Sequence, residues 1–284
     1  MWLEFMNSSL SDVEIKKANI QHHNVEAEFF EKAHPEGSSI YEQTKVLESI
    51  TFIVEKSTSK DVCIDVGCGT GFVTGFELPH YKMVIAIDIS RKMLEVTKRR
   101  FKNVKSLNLL VCDADFLPFR SNIADLVSIS SVLHHVPYPF ATLHEISRVL
   151  KKDGFIYITR EPSYQRFRRF FDFFDAYFVQ KFLRLIRPFR RSDKLIDLNI
   201  KVNGLNYAQV DVHYYIGFHA ETLSQVLLSH GFKVFFAHSY HWIYPDSNRD
   251  RVYTLLTKIN FLIEKFPLSN RFGRYVTLIA QKSA

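Results

Sequence analysis

Asp65-Val66-Gly67-Cys68-Gly69-Thr70-Gly71 is the stretch of this 284-residue chain best suited to hold a polar ligand. Glycines at alternate positions let the backbone turn sharply and bring its amide groups against a ligand with no Cβ between them. Apolar Val62, Cys63, Ile64 and Val66 read as a short strand buried on both faces, so the glycines lie where a strand feeds a loop. A second buried strand, Met83 to Ile87, ends at Asp88. That is about 20 residues past the first glycine, where a carboxylate takes two charge-assisted hydrogen bonds from the hydroxyl pair of a ribose. A dinucleotide fingerprint requires glycine where Phe72 stands, which disfavours a nicotinamide-linked oxidoreductase. Groups able to take a proton come later: His134 and His135, then Glu161, then His213.

These residues need a parallel sheet to bring them together. Strands are expected at Leu107 to Val111, Ala124 to Ile129, Phe155 to Thr159, Phe232 to Ala237 and Tyr275 to Gln281. Helices are expected at Ser39 to Lys56, from Thr70 to Phe76, after a Ser90 cap with Met93, Leu94 and Val96 inward, at Phe140 to Leu150, at His219 to Gly231 and at Arg249 to Phe266. A capped helix opening at Ser11 is broken at Pro35-Glu36-Gly37-Ser38. The alternation of strand and helix over 61–160 predicts a doubly wound α/β sheet.

The Asp65 to Gly71 run resembles motif I of the class I S-adenosylmethionine (SAM)-dependent methyltransferases. Asp88-Ile89-Ser90-Arg91-Lys92-Met93-Leu94 resembles the family's second motif, Cys112-Asp113-Ala114-Asp115-Phe116-Leu117-Pro118-Phe119 its G-D-A-x-x-L-P-F segment, and Ser130 to Val136 its S-x-L-H-H segment. The resemblance covers about Asp61 to Arg160. It implies a Rossmann-like seven-stranded sheet of the class I methyltransferase fold, with the last strand antiparallel between strands five and six. It implies SAM as cofactor, held by Asp65, Gly67, Cys68, Gly69, Asp88, Ile89, Met93, Asp113, Ala114 and Ser130, with Ile89 against the adenine, Asp113 on its amino group and the Ala114 amide on a ring nitrogen. Departures from the pattern are Cys112 at a glycine position, Asp153 for proline and Phe155 for glycine. No Pro-Pro-aromatic follows strand four, which disfavours methylation of base or glutamine nitrogens.

The domains expected are an N-terminal helical lid over 1–60, a SAM-binding core over 61–160, a helical substrate-side insertion over 161–218 and a C-terminal completion over 219–284. Phe29, Phe30 and Tyr41 either line the lid or pack it down. His135 is chosen as catalytic base, with Glu161 and His213 as the other candidates and a turn-organising role for His135 as the alternative. No metal ligand set is assigned.

Composition bounds the rest. The chain is 46% hydrophobic, with cysteines at Cys63, Cys68 and Cys112 that read as free thiols of a reducing compartment. No signal-peptide pattern opens it and no apolar run reaches the roughly 18 residues of a spanning helix, so a cytoplasmic protein is expected. Of the net charge of +7, six comes from 160–191, with nine Lys and Arg against three Asp and Glu. Phe167, Phe170, Phe171, Phe174, Phe178, Phe182, Leu185 and Phe189 recur there at helical spacing. This helical, aromatic and basic insertion after strand five reads as a cap over the site, as a peripheral membrane contact or as a homodimer interface. It points to a small hydrophobic or lipid-linked methyl acceptor, methylated on oxygen or carbon. Phe-rich rather than Lys-rich basic segments disfavour nucleic acid. The alternatives are a non-catalytic SAM-binding protein and an RNA methyltransferase.

Overall fold

The computed structural model describes residues 11–34, 37, 39–164, 217–240, 251–266 and 273–283. Seven strands form one sheet: β1 (Val62–Val66), β2 (Met83–Asp88), β3 (Leu107–Val111), β4 (Ala124–Ser130), β5 (Leu150–Pro162), β6 (Phe232–Tyr240) and β7 (Tyr275–Lys282). Their order is β3-β2-β1-β4-β5-β7-β6, with β7 antiparallel to both neighbours and the other pairings parallel, as the resemblance implied. The chain runs outward from β1 to β3 and then returns to β4 on the other side of β1. A sheet that reverses its winding opens a crevice at that point, outside the carboxyl ends of the strands.

Alternation along the strands feeds two apolar layers. Ile64, Val66, Val127, Ile129, Ile156 and Ile158 enter one, beneath the helices Pro139–Val149 and Ala220–Ser229. Cys63, Val84, Leu126, Phe155 and Ile279 enter the other, beneath Val46, Ile50 and Ile53 of the helix Ile40–Lys56, which Ser39 caps. Each fully buried aliphatic side chain contributes about 1.5–3 kcal/mol. The helix 40–56 is thus part of the core, and among the described residues of the expected N-terminal lid the pieces facing the cavity come from 16–34. Tyr41 is fully buried, its ring edge-on to Phe261, whereas Phe30 lines the cavity.

Three local expectations are corrected. The helix from Thr70 shrinks to Thr74–Glu77, because the residues before it are turns that carry the glycine loop. The fifth strand is thirteen residues, Leu150–Pro162, since β7 pairs along it from Pro162 to Phe155. Val96 is only half-buried, and Thr97 takes the inward place by donating to the Gly69 carbonyl at 2.8 Å.

At the end of β5 the chain leaves through Tyr164 and is back at Phe218, whose amide donates to Pro162 O at 2.7 Å while the Tyr164 amide donates to Phe218 O at 2.8 Å. Residues 165–216, which include the aromatic run and His213, lie outside the described residues. No helix of the described residues is long and apolar enough to cross a membrane.

Candidate functional site

A cavity of about 430 Å³ lies at the carboxyl ends of β1, β2 and β4. Every residue proposed from sequence as cofactor-binding lines it: Asp65, Gly67, Cys68, Gly69, Asp88, Ile89, Met93, Asp113, Ala114 and Ser130. His135 lines it too, and Glu161 does not.

The floor is the glycine loop. At Gly67, with φ +67°, an added Cβ would lie 2.2 Å from Val132 Cγ2, so only glycine lets the turn close against β4's loop. At Gly69, with φ +54°, an added Cβ meets nothing within 4 Å, which leaves its backbone open to the cavity. Asp88 couples this loop to β2. Its Oδ2 accepts from the Gly69 amide and its Oδ1 from the Ser90 amide, each at 2.8 Å. Burial pushes the Asp88 carboxyl up, and the two amides work against that shift. Each oxygen keeps a lone pair for a ligand hydroxyl.

Asp65 is 1% exposed and braces the loop from below, its carboxylate accepting from Thr74 Oγ1 at 2.5 Å and from Ser128 Oγ at 3.3 Å. Strand register makes the second bond, since Asp65 and Ser128 are paired across β1 and β4. Burial raises its pKa to about 6.

The helix Asp12–Glu26 crosses the cavity mouth, started by a capping box between Ser11 and Glu14. Lys16 Nζ bonds both Asp113 Oδ2 at 2.6 Å and Asp115 Oδ2 at 2.7 Å. Asn19 donates to the His135 carbonyl at 3.2 Å, and Asn24 Oδ1 accepts from Ser90 Oγ at 2.8 Å. Thus one helix ties together the loops after β2, β3 and β4.

On the β4 and β5 side the backbone is strained. Ser131 and Arg160, neither of them glycine, hold φ +56° and +59°, and Ser131 Oγ donates to Arg160 O at 3.0 Å. Such conformations cost about 1–3 kcal/mol each and cluster where function requires them. The Arg160 guanidinium lies 5.1 Å from the Phe72 ring centre. Glu161, fully buried, accepts from the amides of Val132 at 2.7 Å, Leu133 at 2.9 Å and His134 at 3.2 Å, and bonds His134 Nδ1 at 2.8 Å. The His134 and His135 ring centres are 4.0 Å apart, and His23 stands edge-on to His135 at 5.2 Å. Burial lowers the His135 pKa well below the ordinary histidine value, and the neighbouring His134, His23 and His22 lower it further.

The arrangement fits a nucleoside: a carboxylate pair-acceptor at Asp88, a glycine turn whose backbone is unobstructed at Gly69, and a second carboxylate at Asp113. Lys16, Asn19, His23, Phe30, His34 and Arg160 also line the cavity and were not read from sequence as ligand-binding, Phe30 apart as a lid aromatic. They carry no local motif, because tertiary packing brings them there.

Residues 64–158 match the family described as methyltransferase domain. A demethylmenaquinone methyltransferase of Staphylococcus saprophyticus is 40% identical over 119 residues, 40% of this chain and 50% of that protein. A malonyl-[acyl-carrier protein] O-methyltransferase of Marinomonas sp. is 30% identical over 132 residues, 46% and 49% of the two chains. The chain thus spans about half the length of the curated relatives it matches. Among solved structures, the N-methyltransferase NodS from Bradyrhizobium japonicum, in complex with S-adenosyl-L-homocysteine, superposes with a TM-score of 0.51 at 10% identity, covering 87% of this chain and 89% of that one. The YcgJ protein from Bacillus subtilis gives 0.51 at 16%, covering 84% and 99%. At those identities what is shared is the fold.

Proposed function

Because residues 64–158 form a class I methyltransferase domain whose cofactor is SAM, we propose that this chain is an enzyme that moves the cofactor's methyl group to oxygen or carbon of a small, hydrophobic or lipid-linked acceptor. The observation that carries the reading is one shared cavity, lined by the carboxylates Asp88 and Asp113 together with His135, Arg160 and Pro162. The chain leaves the sheet after Tyr164 and is back at Phe218, which bonds Pro162 of the cavity wall, so the 165–216 insertion joins the described residues beside the cavity. Its aromatic and basic sequence suits an apolar acceptor, whether it caps the site or rests on an anionic membrane. Two of the similar proteins are named for demethylmenaquinone and for malonyl-[acyl-carrier protein] as what they methylate.

When bound, SAM supplies an electrophilic sulfonium methyl, so the protein's task is chiefly to position and to exclude water. Asp88, held by the Gly69 amide, would orient the ribose end, and Asp113, steadied by Lys16, would close the base end. Burial holds His135 neutral and also weakens it as a base, so its place on the cavity wall is what makes it the candidate to take the proton that a hydroxyl or an acidic carbon loses as it becomes a nucleophile. Glu161 acts through others. Its carboxylate is occupied by three amides and His134, which makes it a positioning residue for the turn that presents His135 rather than a proton acceptor. His213 lies outside the described residues and keeps its place as an acceptor-side candidate.

The test is transfer of a tritium-labelled methyl group from SAM to a short-chain demethylated hydroquinone, a lipid-linked sugar and transfer RNA, side by side. Label in a lipophilic acceptor, lost with His135→Ala while SAM still binds, is the expected result. Label in RNA alone, falling steeply with salt, would assign an RNA methyltransferase. SAM binding with no transfer to any acceptor would assign a binding protein.

A further inference from the structure

The helix that crosses the cavity mouth carries His22, His23 and Glu26, and the chain just beyond it brings His34 back to the same carboxylate. Spacing of three and four residues puts Glu26 on one helical face with both histidines. One ligating atom of each of His22, His23 and Glu26 lies within 4.8 Å of the others. Glu26 is 3% exposed and His22 4%.

Two of the separations match the spacing of ligands around an ion. Glu26 Oε2 lies 3.4 Å from His22 Nε2 and 3.6 Å from His23 Nδ1. A charge-assisted N–H to carboxylate bond would be about 2.7–2.9 Å. Ligand atoms about 2.0–2.1 Å from a tetrahedral zinc stand about 3.3–3.4 Å apart, close to what is seen here. The other oxygen, Oε1, is bonded to His34 Nε2 at 2.8 Å, the outer partner that a metal-bound carboxylate ordinarily has. Two imidazoles and a carboxylate, with a fourth position left over, form a donor set for a borderline first-row cation.

We propose that His22, His23 and Glu26 bind one divalent cation of the zinc class, with His34 orienting Glu26 from outside. The ion would staple the last turns of the helix 12–26, and the Glu26–His34 bond would link that staple to residue 34. It would lie one ring away from the proposed catalytic histidine, since His23 contacts both His22, at 5.3 Å between ring centres, and His135. This inference stands whether or not the acceptor proposed above is right.

The experiment uses tag-free full-length protein stripped with a chelator. Zinc is titrated calorimetrically, and cobalt is titrated with visible absorption as the readout. One equivalent of zinc and the visible bands of four-coordinate cobalt are expected, with zinc affinity at least tenfold weaker in Glu26→Gln and in His22→Ala and unchanged in His144→Ala/His230→Ala, where another histidine pair is removed. Circular dichroism checks folding, and His23→Ala supplies an independent reading if the loss of Glu26 prevents it. Absence of stoichiometric binding, or binding that survives both Glu26→Gln and His22→Ala, would overturn the site and leave a buried carboxylate held only by histidine hydrogen bonds.

Discussion

At the scale of single residues, the site depends on carboxylates that look alike in sequence and are set apart by their surroundings. Asp88 offers lone pairs to the cavity, Asp65 braces from beneath, and Glu161 has all of its capacity taken by the 132–134 turn. Replacing Glu161 with Gln turns an amide group toward backbone N–H donors. Loss of buried charge-assisted bonds should lower unfolding free energy by about 2–4 kcal/mol. The rate should fall at every pH while the acid limb of its profile stays in place. Loss of that limb with unchanged stability would instead make Glu161 the base. His135 gives the complementary prediction. Its folded pKa is depressed, so the unfolded chain takes up the proton first as pH falls. The stability it contributes is therefore complete above the ordinary histidine value of about 6.5 and is lost below it. Methyl transfer should stay level from pH 6.5 to 8 and decline only below, as followed by initial rates at saturating SAM. A midpoint near 7 or above would remove His135 as the base.

At the scale of elements, the helix Asp12–Glu26 decides how closed the cavity is. Lys16 is its bond to the β3 loop, reaching two carboxylates at once. Lys16→Met should leave those carboxylates facing each other without their cation. Hydrogen exchange should then quicken over 12–26, by a local opening energy lower by about 1.5–3 kcal/mol, while strands β1 and β4 stay protected. Equal protection in the variant would show that packing alone holds the helix. This element also marks what the sequence could and could not reveal. The strand, glycine turn and Asp88 were legible because each sits in a contiguous run whose spacing has a physical meaning. Lys16, His34 and Arg160 were not, because they reach the cavity from other elements and only folding assembles them. His22, His23 and Glu26 stood in plain view at helical spacing, yet that spacing says nothing of His34 or of distances. The short helix Thr74–Glu77 shows the opposite error, in which helix-forming residues after Thr70 were outweighed by the turns the glycines make.

At the scale of the whole molecule, the sheet does two jobs. Its reversal at β1 and β4 opens the cavity, and its antiparallel β7 carries β5 onward to Pro162, so the insertion is rooted at the rim. The helix 40–56 holds one face of that sheet through fully buried side chains such as Ile50. Ile50→Ala should lower global unfolding free energy by about 2–5 kcal/mol, measured by urea denaturation, with SAM affinity unchanged in the folded protein. The account rests most heavily on the cavity being a SAM site organised by Asp88. Calorimetric titration of purified protein with SAM and with its demethylated product, wild type beside Asp88→Ala, tests it most directly. Micromolar binding to the wild type that weakens at least a hundredfold in the variant is the predicted result, since about two charge-assisted hydrogen bonds go at about 1.5–3 kcal/mol each. Absence of binding to folded wild-type protein, or equal binding to both, would contradict it.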